Sequence, residues 1–241
     1  MQIASPSASD DLASLPFVQR WKRAGSALGA VMTDPDDTEK VLELLTLVNG
    51  GWWARVRIAR FLATPGGRKL YEEHRTIDTR TVDLDALAAL PEGTLGHAYA
   101  TFLRSRGLSP EVFEGAPAGI SDPQRSFLTQ RMRQTHDLWH VITGCNTDPA
   151  GEVALQAFTF AQLHAPGSAL LAIAGLLRSI RHNPAIVRDV ISFYRAGRRA
   201  HGLPSFLWED HWAKPLSEVR ALLGLPAGPL PRVSPAYSWG Q

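Results

Sequence analysis

The segment THDLWHVITGCNTDPAGE, residues 135–152, constrains this chain more than any other, because its pattern asks for two helices folded back on one another. His136 and His140 are four residues apart. On an α-helix that spacing stacks the two imidazoles one turn apart on one face, within reach of a common cation. Asp137 lies on the edge of the same face. Glu152 follows His140 after eleven residues, and a straight helix would point it elsewhere. However, Asn146-Thr147-Asp148-Pro149 interrupts the helix, since proline lacks an N–H donor and biases Asp148 out of the α region. Thr147 or Asp148 can then cap a second helix with Pro149 in its first turn. His140 and Glu152 stand six residues either side of a pivot near Asn146, so the hairpin returns the carboxylate to the imidazoles.

Imidazole and carboxylate donors suit zinc, manganese and iron(II), whereas structural zinc sites more often use thiolates, and Cys145 is the one cysteine. Two histidines and one or two carboxylates leave coordination positions open, as Lewis-acid chemistry and oxygen activation require. Arg133 precedes His136 by three residues and shares the ligand face. Its guanidinium could hold a substrate carboxylate bidentately, or pair with an acid beside the site. Arg131 points to the opposite side of that helix. A lone Cys145 cannot form an internal disulfide, and its place beside the turn reads as a small buried residue.

The rest of the chain reads as a single all-α domain over residues 15–225, with a disordered segment at 1–14 and a Pro-rich extended tail at 226–241. Asp34-Pro35 opens one helix from Asp36 to about Ala63, and Pro91-Glu92 opens another ending near Arg106-Gly107. The hairpin occupies about Asp122 to Leu163, and later helices open at Pro166, Pro184 and Pro215. Residues 166–180, PGSALLAIAGLLRSI, are apolar around nearly the whole circumference, so this helix is either central to the core or lines an apolar groove. Ala172, Ala174 and Gly175 would make room there for a lipid tail, which marks Ala172 and Gly175 as candidate lipid-binding positions. At roughly 20 residues needed, the run is too short to span a bilayer. Trp208 and Trp212 could anchor at a lipid interface or pack beneath a C-terminal helix; of the adjacent Trp52 and Trp53, one is expected in the core. A net charge of +2 without an aromatic and basic stripe argues against nucleic acid as a partner. The start, MQIASPSASDDLAS, reads as neither a secretory signal nor an import presequence.

His136, Asp137, His140 and Glu152 together reproduce the His-Asp-x-x-His-x(eleven)-Glu motif of the Coq-four family of coenzyme Q (ubiquinone) biosynthesis, which this chain resembles over roughly residues 28–225. DPDDTEKVLELL from Asp34, TPGGRKLYEEH from Thr64, LPEGTLGHAYATFLRSRGLSP from Leu90 and WEDHWAKPLSEVRALLGL from Trp208 are similar to that family's segments in order and spacing. The resemblance implies an all-helical, metal-dependent enzyme, a carbon-carbon lyase that removes the C1 carboxylate from a polyprenylated 4-hydroxybenzoate-type precursor, in some members with hydroxylation at that carbon. It implies one divalent metal, zinc first with iron or manganese as alternatives, on His136, Asp137, His140 and Glu152. Implied partners are the prenylated aromatic substrate, other ubiquinone-biosynthesis proteins, the membrane surface and a second copy of the chain in a homodimer. The arginine-rich composition adds the expectation of a bacterial protein, peripheral on the inner face of the cytoplasmic membrane. Two other readings compete. In one, a non-catalytic scaffold binds a prenyl lipid and uses its metal only to organise the hairpin. In the other, a His-Asp phosphohydrolase draws on His74, His97 or Asp189.

Overall fold

Prolines and glycines stand at most of the helix starts in the computed structural model, which describes residues 12, 15–34, 37–110, 115, 117 and 119–235. The helices are α1 (Phe17–Thr33), α2 (Thr38–Val48), α3 (Gly51–Ala63), α4 (Pro65–Glu72), α5 (Leu84–Ala88), α6 (Leu95–Ser105), α7 (Pro123–Thr143), α8 (Pro149–Leu163), α9 (Pro166–Ser179), α10 (Ile186–Arg199) and α11 (Leu216–Leu222). Short 3-10 turns lie at Leu203–Ser205 and Trp208–His211, and the described residues hold no β-strand. Pro65, Pro123 and Pro149 each open a helix, where a missing N–H costs nothing. The residues before them, Thr64, Asp122 and Asp148, accept the N–H of Gly67, Arg125 and Gly151 as side-chain caps. The chain is thus one all-helical domain.

The single helix expected from Asp36 to Ala63 is instead two. Gly50 caps α3, and Gly51 takes φ +65°, a left-handed conformation that ends regular winding and that glycine adopts freely. Asp36 itself, and the expected disordered segment 1–14 apart from Leu12, lie outside the described residues.

Four apolar clusters hold the helices among the described residues, two of them small, around Phe61, Leu70 and Leu128 and around Ala150, Val153 and Ile186. Of the other two, the larger joins Tyr99 and Leu103 of α6, Leu138, Trp139 and Ile142 of α7, Phe158 of α8, Phe193 of α10 and Val219 of α11. The smaller joins Ala24, Ala27 and Val31 of α1 to Leu44 and Leu47 of α2, with Leu170 and Leu171 of α9 against it. A cavity of about 590 Å³ is lined by residues of α1, α2, α3, α7, α8 and α9. The described residues beyond α11, up to 235, form no helix, and they are fastened down. Leu230 N–H bonds the Thr143 carbonyl, Pro229 lies against Gly144, Arg232 pairs with Asp148 at 2.6 Å, and Asp189 accepts the N–H groups of Val233 and Ser234.

Two expectations about tryptophans are settled by the packing. Trp208 is 0% exposed and Trp212 stacks on Tyr99 at 5.6 Å, so this pair packs under α11 instead of facing lipid. Neither Trp52 nor Trp53 is core: both stand exposed at the start of α3, whose buried residues are Ala54 and Phe61. No helix among the described residues is long and apolar enough to cross a membrane.

Helix α9 combines both roles considered for it and adds an open face. Ser168 and Ala172 are buried, Leu171 and Ala174 line the cavity, and Ile173 and Leu177 are exposed. It packs tightly against α8 at Gly175, where a Cβ would stand 2.2 Å from Val153 Cγ2. Gly175→Ala is therefore expected to lower the melting temperature by roughly 2–10 °C, the effect of about 1–3 kcal/mol of overpacking in a chain of this size. Val153→Ala in that background should restore part of the loss. Strictly additive losses in calorimetry would contradict the contact.

Candidate metal centre and its cavity

The end of α7 is shaped by Gly144, whose φ of +71° closes the helix and lets the Gly144 and Cys145 N–H groups both reach the His140 carbonyl. The Cys145 carbonyl then faces the ring of the same histidine, 3.1 Å from Nδ1. A carbonyl only accepts, so His140 Nδ1 carries the proton and Nε2 presents a lone pair. That is the arrangement in which a histidine ligates a metal while a neighbouring acceptor fixes its tautomer. The Phe102 ring of α6 lies 5.5 Å from the imidazole, stacked on it, and Arg106 covers the other ring face of Phe102 at 3.9 Å. Arg106 also donates to Thr147 Oγ1 and Asn146 Oδ1, tying α6 to the hairpin turn.

Asp148 caps α8, and Glu152 stands in its first turn, as the Asp148-Pro149 pair suggested. Its carboxylate comes back to α7. Glu152 Oε1 lies 3.1 Å from His140 Nε2, Oε2 lies 3.6 Å from His136 Nε2, and the two imidazole Nε2 atoms are 3.3 Å apart. One atom from each of these residues falls within 4.8 Å of the others, a spacing that a single cation with bonds of about 2 Å can bridge. His140 is 1% exposed, whereas His136 and Glu152 keep 31% and 37% of their side-chain surface open and line the cavity. Burial acts against the Glu152 carboxylate, but the charges and hydrogen bonds of His140 and His136 outweigh it and hold its pKa well below the ordinary carboxylate range. Burial likewise opposes a charge on His136, and Glu152 overrides it to raise the imidazole pKa.

Asp137 is not among these three donors. One residue on from His136, it is turned about 100° around α7 and flanks the cluster. Burial raises its pKa against the pull of His136 and His140. Arg133 lines the cavity beside His136, and burial lowers its pKa. Arg131 is committed elsewhere, in a buried bidentate pair with Glu209 at 2.6 and 2.8 Å. Gln134 is buried and accepts the Ile77 N–H, so it holds the 76–78 segment. The Cys145 thiol is buried, donates to the Gly151 carbonyl, and burial pushes its pKa up to about 12. It stays protonated and offers no thiolate.

The cavity continues from His136 and Glu152 along α9, past Leu163, Ser168, Leu171, Ala174 and Gly175 to Arg178. Of the two lipid-binding candidates, Gly175 lines it and Ala172 does not, because Ala172 is turned into the packing behind α9. The phosphohydrolase reading lacks its extra ligands: neither His74, His97 nor Asp189 joins the cluster, and Asp189 is occupied by Val233 and Ser234. Sequence reasoning also missed the Cys145 carbonyl, Phe102, Arg106 and the far cavity wall with Arg57 and Arg125. Only the last had a visible signal, the Gly50-Gly51 break that separates α3 from α2.

Residues 13–229 match the family model described as "Coenzyme Q (ubiquinone) biosynthesis protein Coq4". The mitochondrial ubiquinone biosynthesis protein COQ4 of Coprinopsis cinerea is 32% identical over 213 residues, covering 88% of this chain and 72% of the fungal protein. Its Aspergillus niger counterpart is 32% identical over 222 residues, covering 89% and 74%. A crystal structure from Nostoc punctiforme, of a candidate ubiquinone biosynthesis protein, superposes with a TM-score of 0.70 at 28% identity, covering 84% of this chain and 97% of that one. The chain belongs to the Coq4 family of coenzyme Q (ubiquinone) biosynthesis proteins.

Proposed function

We propose that this protein is a metal-dependent lyase that removes the C1 carboxylate of a polyprenylated 4-hydroxybenzoate-type precursor. The observation that carries the reading is a three-donor cluster, His136, His140 and Glu152, opening on an apolar cavity instead of being sealed by protein ligands. A site that served only to organise the hairpin would have no use for that opening, which is why the enzyme is favoured over a prenyl-binding scaffold.

The donor set fits a divalent metal: His140 has its Nε2 lone pair fixed by the Cys145 carbonyl, and Glu152 is held ionised. His136, His140 and Glu152 would hold the ion, with Asp137 as the flanking acid; zinc suits these donors, and iron or manganese would suit them too. Bound there, such an ion would supply a Lewis acid that draws electron density from the phenol or carboxylate as CO₂ leaves and a proton from water takes its place on C1. The Arg133 guanidinium, one turn from His136, binds and orients the ring carboxylate. Leu163, Leu171 and Ala174 keep water from the tail, and each CH₂ buried contributes about 0.8 kcal/mol, so a few isoprene units anchor the ring. The setting we propose is the inner face of a bacterial cytoplasmic membrane, among other proteins of the pathway.

Three outcomes test this. Chelation, or His140→Ala, is expected to cut turnover of a short-chain prenylated hydroxybenzoate at least about 100-fold with little change in circular dichroism, because the ligand adds little apolar core. Full activity after either treatment refutes metal catalysis, and product analysis with and without oxygen separates simple from oxidative decarboxylation. Arg133→Gln is expected to raise KM for the carboxylated ring by about 10-fold or more, the worth of a charge-assisted hydrogen-bond pair, and to leave binding of the ring lacking the carboxylate unchanged. An equal effect on both ligands would assign Arg133 to the fold. Ala174→Phe should weaken long-tailed substrates more than a tail-less hydroxybenzoate; equal losses on the two, measured side by side, would reject the cavity as the tail site.

A further inference from the structure

Three arginines meet at the Gly50-Gly51 turn, at the opposite end of the cavity from His136. Arg125 and His136 both line the cavity and are eleven residues apart on α7, roughly 16 Å along its axis. Arg125 donates Nη2–H to the Thr46 carbonyl at 2.8 Å, and Arg57 donates Nη2–H to the Asn49 carbonyl at 2.5 Å. Arg20 of α1 approaches from another side. A Cβ on Gly50 would stand 3.5 Å from Arg125 Nη2 and 3.6 Å from Arg20 Nη1, and one on Gly51 would stand 3.3 Å from Arg20 Nη1. Between the guanidinium groups the two glycines therefore leave the room of a small side chain.

Capping the end of α2 accounts for part of this cluster, since the last carbonyls of a helix carry about half a negative charge. It does not account for the rest. Arg57 Nη1 and Arg20 Nε are buried and have no hydrogen-bond partner among the described residues. The Arg57 pKa is held down to about 10 by burial and by the charge of Arg125, with no carboxylate to offset them. Helix α3 also begins here, where the first amides have no acceptor within the helix and Gly50 offers no capping oxygen.

We propose that this turn is a second binding site, for an oxyanion of phosphate type, held by Arg57, Arg20 and the first amides of α3 with Arg125 behind them. The site does not depend on the metal or on the lyase reading. Its surroundings fit the phosphate of a lipid headgroup: Phe17 and Trp21 flank Arg20 on α1, Trp52 and Trp53 follow the turn, and these four rings are 70%, 47%, 58% and 49% exposed. Aromatic rings grouped around cationic side chains sit at headgroup level in a bilayer.

Gly50→Asp is the decisive variant. Gly50 has φ −79° and ψ −172°, extended values open to aspartate, which is a preferred residue at this helix position. Its carboxylate would supply from within the chain what a bound phosphate supplies from outside. In the full chain, inorganic phosphate is expected to raise the melting temperature of the wild type above that in chloride at equal ionic strength. Gly50→Asp should melt higher than wild type without phosphate and no longer respond to it. Vesicles of phosphatidylcholine mixed with phosphatidylglycerol should bind the wild type about tenfold better than phosphatidylcholine alone, and Gly50→Asp and Arg57→Gln should each lose that gain. A response to inorganic phosphate without the vesicle preference supports the site and assigns it to a free or soluble phosphate. A wild type that responds to neither probe, or a response that survives in both variants, overturns it.

Discussion

The carbonyl of Cys145 is where backbone geometry and site chemistry meet. It faces the His140 ring because Gly144 closes α7 in a left-handed conformation, which only a residue without Cβ takes without strain. The same closure starts the turn that Asp148 and Pro149 convert into α8, and so decides where Glu152 stands. One backbone conformation thus sets the tautomer of one donor and the position of another. Phe102 and Arg106 add rigidity from α6, packing the His140 ring and bonding the turn, so that the donors are held by elements on both sides of the hairpin.

Around this point the charged groups are disposed so that each end of the cavity has its own character. At the hairpin, Glu152 is held ionised by two imidazoles, and Arg133 stands one turn away. At the α2–α3 turn, guanidinium groups dominate and Arg57 is discouraged from carrying its charge by burial and by its neighbour. Apolar side chains of α7 and α9 separate the two ends. A molecule filling the space would be amphiphilic, with its polar part at one pole or the other.

How much of this was readable beforehand depended on whether the controlling interaction was local. The Asp148 cap, the return of Glu152 to the imidazoles and the all-helical class follow from spacing and from proline chemistry within a few residues, and the structure matches them. Asp137 stands at a motif position that the family resemblance offers as a ligand, but a helix turns about 100° between it and His136, and the three gathered donors are His136, His140 and Glu152. The α2–α3 break carried a local sign in Gly50-Gly51 that the continuous apolar pattern around it obscured. Ala172 and Leu171 are adjacent on an apolar helix, and only the packing of α8 and α2 decides which one faces the cavity. Trp208 could not be told from an interfacial residue without knowing that α6, α7 and α11 close over it.

The extended tail gives the hairpin a dependence on the order in which the chain is made. Leu230 bonds the carbonyl of Thr143, Pro229 fills the space over Gly144, and Arg232 pairs with the very aspartate that caps α8. All of these come after α8, α9, α10 and α11 in the sequence. During synthesis the turn between the two donor-bearing helices is therefore made first and covered last, and Asp148 meets its arginine only once the intervening helices have been made. His136, His140 and Glu152 are thus made well before the segment that pins the turn between their two helices.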